Sequence, residues 1–234
     1  MRIDKFLADT GHGSRKEVKK LLKAGLVYID DVLVKDAKAQ VNASDQQVVV
    51  AGSVVHYQAD VYIMLNKPQG VISATEDSMH KTVIDLLDKK WSAFKIFPIG
   101  RLDKDTEGLL LLTTDGAFSH RLMSPRRHVS KVYQATIDGV VTDEDVKAFR
   151  IGVHLEDGYL TKPAELNIIK SAQTSLIELT ITEGKFHQVK RMFKARDKTV
   201  LSLKRTSIGK LTLDESLPLG SYRELTEQEL MLFE

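Results

Sequence analysis

The chain has 234 residues, 42% hydrophobic and 28% charged, with a formal net charge of +2, enough for one large domain or two modest ones. It has no Cys, which excludes disulfides and thiolate metal sites, and no apolar run nears the ~20 residues of a membrane-spanning helix. The start, MRIDKFLADTGHG, carries charges inside its first apolar stretch and does not read as a signal peptide, so a reducing, cytoplasmic setting is expected.

Arg2 to Ala8 sets Ile3, Phe6 and Leu7 at the spacing of a buried helical stripe. After a GHG break, Ser14 and Glu17 have capping-box spacing, and Val18, Leu21 and Leu22 line one side of a second helix that stops at Gly25. The rest of that helix carries Arg15, Lys16, Lys19, Lys20 and Lys23, a first basic cluster opposed by Glu17 alone. LVYIDDVLVKDAKAQV reads as two short β runs around an Asp-Asp turn, and VVVAGSVVHY as another strand. Together these make a small binding module over residues 1–59, with a linker near Gln58 to Asp60 and a larger domain over residues 60–234.

From Val61 the pattern mixes α and β. VYIMLNKPQG is a strand entering a turn, and KTVIDLLDKK reads as a helix. GLLLLTTD is a buried strand ending at Asp115, the N-cap of a short helix GAFSHRLM that Pro125 helps to stop. KVYQATIDGVV alternates as a strand, TDEDVKAFRIG is a helix capped by Thr142, and SLIELTITEG is a further strand. KFHQVKRMFKA is a helix that buries Val189, Met192 and Phe193; strands in KTVLSLKRTSIGKLTL and a helix in LTEQELMLF follow. Strands joined by hairpins with interspersed helices favour α+β over a doubly wound parallel sheet. Arg121, Arg126, Arg127 and Lys131 form a second basic cluster, and the run from Lys185 to Lys210 a third. Three such clusters in a nearly neutral chain suggest a basic face for a polyanion, although any one of them also fits a solvated surface.

GRLDKDTEGLLLLTTDG holds the chemistry-bearing pair Asp103 and Asp105. DKDT comes close to the D-x-D-x-T pattern of metal-dependent phosphatases, with Thr106 one position early, but there the nucleophile follows a buried strand. Here FPIGRL precedes it, with Pro98, Gly100 and Arg101 breaking a strand, and the apolar run comes after. The same letters also describe an ordinary turn with two solvated acids. The seven histidines are scattered without helical ligand spacing, so no metal site is expected, and no glycine-rich phosphate loop marks a nucleotide cofactor.

In order along the chain, MLNKPQG, GRLDKDTEGLLLL, SKVYQATI and EGKFHQVKRMF resemble the motifs of pseudouridine synthases, and residues from MRIDKFL to DDVLV resemble an S4 RNA-binding domain. The S4 module, K-R-M-F and SHRLMSPRRH are most similar to the RsuA branch, which modifies one uridine of small-subunit ribosomal RNA. The resemblance covers nearly the whole chain. It implies a catalytic domain built on a mixed, mainly antiparallel sheet with flanking helices. It also implies isomerisation of a flipped uridine without metal or cofactor, because N1–C1′ is exchanged for C5–C1′ with no redox change.

The same resemblance assigns roles. Asp103 is the nucleophile, adding to the uracil ring or assisting glycosidic cleavage. Tyr133 stacks on the base and takes the C5 proton. Lys190 pairs with Asp103 where many relatives have Arg, without Arg's bidentate fork. Val189 packs under the uracil and Arg101 holds the flipped nucleotide or the loop, while Asp105 faces no demand in the mechanism. Arg15, Lys16, Lys19, Lys20 and Arg191 are expected RNA contacts. Relatives have a Gly-Asn turn where this chain reads KARDKTV, and the added charge is read as a further RNA contact. The expected partner is ribosomal RNA, 16S foremost, either naked or within a partly assembled small subunit, met by a monomer. The alternatives are a 23S target or an S4-type protein that only binds ribosomal RNA.

Overall fold

A computed structural model of the chain describes every residue except Ser44, His56, Gln58, Ala59, Ala93, Pro125, Arg126 and Glu234. Most of the expected linker, His56 at the end of VVVAGSVVHY, the stop at Pro125 and Arg126 of the second basic cluster thus lie outside the described residues. Two units emerge: Met1–Val61 with Asp88–Ile96, and Tyr62–Leu87 with Phe97–Glu234.

In the first unit, α1 (Ile3–Asp9) and α2 (Arg15–Lys23) share a core with a four-stranded sheet ordered β2-β1-β3-β4. Its strands are β1 (Val27–Ile29), β2 (Val32–Leu33), β3 (Val48–Val50) and β4 (Ser53–Val55). Ile3, Phe6, Leu7, Val18 and Leu22 are fully buried there, as the helical spacing requires. The capping box forms: Glu17 Oε2 accepts from Ser14 N–H at 2.7 Å and Ser14 Oγ accepts from Glu17 N–H at 3.4 Å. VVVAGSVVHY contains two strands instead of one. Ala51 and Gly52 both take positive φ, 48° and 82°, closing a two-residue turn between β3 and β4.

The second unit is built on a nine-stranded mixed sheet with the path β13-β5-β7-β11-β8-β10-β9, to which β6 and β12 add on β7 and β11. The strands are β5 (Tyr62–Lys67), β6 (Phe97–Ile99), β7 (Glu107–Thr113), β8 (Lys131–Asp138), β9 (Glu165–Lys170), β10 (Thr174–Ile181), β11 (Thr199–Ile208), β12 (Leu211–Thr212) and β13 (Tyr222–Glu224). Helices α3 (Gly116–Met123), α4 (Asp143–Ile151), α5 (Gln188–Lys194) and α6 (Glu227–Met231) complete it. Among the named strands of the described residues only β7 and β11 pair in parallel, two isolated parallel bridges aside, which makes the fold α+β. Asp115 caps α3, accepting from Ala117 and Phe118 N–H at 2.8 and 3.0 Å, and Thr142 caps α4 in a box with Asp145.

Strand β7 is the hub. β5 lies along it from Gly108 to Thr113, while its other edge is shared between β11, at Glu107 and Gly108, and β6, from Leu111 to Thr113. At that division a Cβ on Gly108 would sit 2.2 Å from Arg205 O, and φ there is +98°, so only glycine fits.

Three segments depart from expectation. KTVIDLLDKK is two 3₁₀ turns, Ile84–Leu86 and Lys89–Trp91, because Leu87 between them is extended and Asp85 closes a side-chain turn onto Thr82 N–H at 2.7 Å. FPIG does form a short strand, β6, despite Pro98, since it pairs at the far end of β7. The helix in KFHQVKRMFKA starts only at Gln188, because His187 is left-handed, φ 48°, and Gln188 Oε1 ties back to Lys185 N–H at 2.9 Å.

Candidate active site

The loop from Gly100 to Thr106 joins β6 to β7 and presents Asp103. It is held from below by side chains that the sheet has already placed. Leu102 exchanges hydrogen bonds with Ser73 Oγ, 3.0 Å each way. Lys67, at the end of β5, is fully buried and its ammonium donates to the carbonyls of Asp103 at 3.0 Å, Thr106 at 2.8 Å and Pro68 at 3.0 Å. Burial pulls the Lys67 pKa down to about 8, with the carboxylates of Asp103, Asp105 and Glu107 pulling the other way.

Beside Asp103 opens a recess of about 80 Å³ lined by Tyr133 from β8, Val189 from α5, Ile181, Leu203 and Thr106. That is well below the 300–1,000 Å³ of drug-sized pockets, room for little more than one planar ring. Tyr133 and Val189 are buried and supply apolar walls; Arg101 is exposed at the rim. The Thr106 hydroxyl is buried without a protein partner among the described residues. The Asp103 side chain keeps 30% of its surface exposed, open to whatever enters.

The cation beside Asp103 is shared. Lys190 Nζ lies 3.7 Å from Asp103 Oδ2 but only 2.5 Å from Asp105 Oδ1. Asp105, expected to stand outside the mechanism, is therefore the nearer partner, and the Lys190 hydrogen bond holds its carboxyl below the usual carboxylate range. A lysine is a point charge that can bridge two acids, where a guanidinium fork would face one. On the other side His187 Nε2 approaches Asp103 Oδ1 at 3.7 Å, and Phe186, 76% exposed, stacks on the His187 ring at 3.8 Å.

Two expected RNA contacts have other employment. Arg191 pairs with Asp157 at 2.6 Å and Glu156 at 3.8 Å. Arg196 and Lys198, the charged turn after α5, both grip the buried Asp145 at 3.0 Å and so tie that turn to the start of α4. Arg15, Lys16, Lys19 and Lys20 are all exposed on α2. Sequence reasoning missed Lys67, His187 and Phe186. For Lys67 the signal was present: a lysine directly following the buried run of β5 needs internal acceptors.

Residues 61–195 match the RNA pseudouridylate synthase family, and residues 1–46 the S4 domain. This chain belongs to that synthase family. The protein called "Uncharacterized RNA pseudouridine synthase YtzG" of Bacillus subtilis (strain 168) is 52% identical over 233 residues, covering 99% of this chain and 98% of its own. "Ribosomal small subunit pseudouridine synthase A" of Escherichia coli (strain K12) is 41% identical over 231 residues, with 98% of each chain covered. A solved structure, "Crystal structure of pseudouridylate synthase", aligns with a TM-score of 0.70 at 36% identity over 100% of this chain and 99% of the other. The pseudouridine synthase is thus an isomerase with an N-terminal S4 domain. Among its described residues no helix is long and apolar enough to cross a membrane.

Proposed function

We propose that this synthase converts one uridine of 16S ribosomal RNA to pseudouridine, with Asp103 as nucleophile, acting as a monomer on naked RNA or a partly assembled small subunit. The observation that carries the chemistry is the open carboxylate of Asp103 at the mouth of a single-ring recess walled by Tyr133 and Val189. A stacked uracil cannot reach such a recess, so the nucleotide is flipped into it, at a cost of a few kcal/mol. Asp103 opens the reaction on the base or at the glycosidic bond. N1–C1′ breaks, the base turns within the recess, C5–C1′ forms, and the C5 proton leaves to Tyr133 while N1 gains one. Lys190 supplies positive charge on one side of the carboxylate, and His187 stands on the other. The small-subunit target is supported by relatives of full length whose names carry it. In the division of labour proposed, residues 1–59 dock RNA and residues 60–234 perform the chemistry.

The test is to map pseudouridine in ribosomal RNA from cells lacking the protein. One 16S position should lose the modification, regained with the wild type and not with Asp103→Asn, whose rate should fall by about four orders of magnitude or more. Loss from 23S RNA instead overturns the target. Restoration by the Asn variant removes Asp103 as nucleophile.

A further inference from the structure

In the second unit three recesses lie side by side, each sharing lining residues with the next. The catalytic one shares Gly184 and Lys185 with a second of about 190 Å³, which shares Leu122 and Val129 with a third of about 470 Å³. The second is lined by Lys131, Lys162 and Lys185. Lys131 is only 9% exposed; its ammonium donates to Val129 O at 3.0 Å, and burial together with the Arg205 guanidinium pulls its pKa down. Arg205 is 3% exposed, its Nε bonded to Leu109 O at 2.8 Å and its Nη2 without a partner among the described residues. Among those residues neither cation has a carboxylate within ion-pair range. Two buried positive charges without a counter-ion are unfavourable, and an anion seated over Lys131, the one of the two that lines the recess, relieves that. Glu183 also lines this recess, but it stands outside ion-pair range of both cations, its oxygens accepting instead from Tyr159 O–H at 2.7 Å, Lys162 N–H at 2.9 Å and Gln188 Nε2 at 2.7 Å.

The third recess differs in kind. Its floor is Phe118, Leu122 and Phe233, the two rings meeting edge-on at 5.4 Å, and Arg121, Arg127 and Lys210 stand around it. No acid lines it among the described residues. Lys162 Nζ and His128 Nδ1, 3.1 Å apart, join the lysine recess to this one. A phosphate next to cations, continuing into a flat ring on an aromatic floor, is the chemistry of a nucleotide. Adjacency to the catalytic recess favours a nucleotide of the same strand over a free one.

We propose that the second and third recesses are a nucleotide subsite for the RNA strand bearing the target uridine, with a phosphate over Lys131, Lys162 and Lys185 and a flanking unpaired base on Phe118 and Phe233. Only the identity of that RNA rests on the function proposed above.

The experiment places 4-thiouridine at each flanking position in turn and photo-crosslinks the RNA to the full-length protein. A double variant, Arg127→Glu with Lys210→Glu, changes two exposed side chains, and its unfolding midpoint checks that it is folded. One flanking position should crosslink to peptides spanning residues 118–130 or 209–233. In the double variant that crosslink should disappear and KM should rise about tenfold with kcat within about twofold. Crosslinks confined to the catalytic recess, with KM unchanged in the variant, overturn the subsite. Saturable binding of AMP or UMP that the variant loses, with no RNA crosslink there, assigns the hollow to free nucleotides and overturns the strand. If no pseudouridine forms yet the flanking crosslink lands as described, the catalytic reading fails and the subsite stands.

Discussion

Two lysines decide how Asp103 is presented, and they act from opposite directions. Lys190 is exposed enough to move between Asp103 and Asp105, so its bond to Asp105 is a resting position and not a strong tether. Removing Asp105's charge frees Lys190 for Asp103, whereas removing Lys190 takes the ammonium away from both acids. Asp105→Asn should therefore change kcat by less than about fivefold, and Lys190→Met should lower it by about a hundredfold, measured by tritium release from 5-tritiated uridine RNA. Equal losses would mean that the two residues act as one unit. Lys67 has no such freedom. Its pKa in the folded protein is about 8 against 10.5 for an unperturbed lysine, so between those values the unfolded chain holds a proton that the folded one has released. Stability from this group therefore rises with pH through that window; below pH 8 both states are charged and the burial cost is fully present. The stability gap between wild type and Lys67→Met, from urea midpoints, should widen by up to about 3 kcal/mol from pH 8 to pH 10.5. A constant gap would show that the three loop carbonyls hold the ammonium as firmly as water does.

At the scale of elements, the turn after α5 carries the clearest lesson. Arg196 and Lys198 are surface-type residues in sequence, and nothing nearby in the chain names their partner. Asp145 lies about fifty positions away, buried in the capping box of α4, and becomes visible only when the fold brings α4 beside the turn after α5. Asp145→Ala should cost about 3 kcal/mol in chemical denaturation, since it removes a cap and leaves two cations facing a vacated site. Burial would raise the Asp145 pKa, but the Thr142 N–H, Lys198 and Arg196 together hold it below 3.8. The stabilisation is thus present above pH 3.8 and lost as pH falls below it, so wild type and variant should converge in acid. What could be read from sequence was local. The capping residues Ser14, Asp115 and Thr142 act within three positions, and the alternation of β8 and β10 is set by burial on one face. The order of motifs likewise pointed to Asp103, Tyr133 and Val189 around one recess. Choices between equally close alternatives could not be read. Lys190 has two acids two positions apart to choose from, and Leu87 interrupts a pattern that otherwise reads as helical.

For the molecule as a whole, the question is where affinity resides and where chemistry does. Deleting the first module is a poor probe, because Asp88–Ile96 groups with Met1–Val61 and would lose its neighbours. The exposed face of α2 offers a cleaner one. Arg15, Lys16, Lys19 and Lys20 project from a helix whose hold on its unit comes from Val18, Leu22 and the Ser14–Glu17 box. Replacing all four with Gln should leave the unfolding midpoint within a few degrees of wild type. If these residues meet phosphates, each contributes a released counter-ion, so the slope of log K against log salt should become shallower by about 3 and low-salt affinity should fall by one to two orders of magnitude. At saturating RNA, kcat should stay unchanged, since the chemistry proposed is carried by residues of the second unit. A fall in kcat with affinity intact would reverse the assignment: α2 would then act on the chemical step, and RNA would be held by the catalytic unit alone.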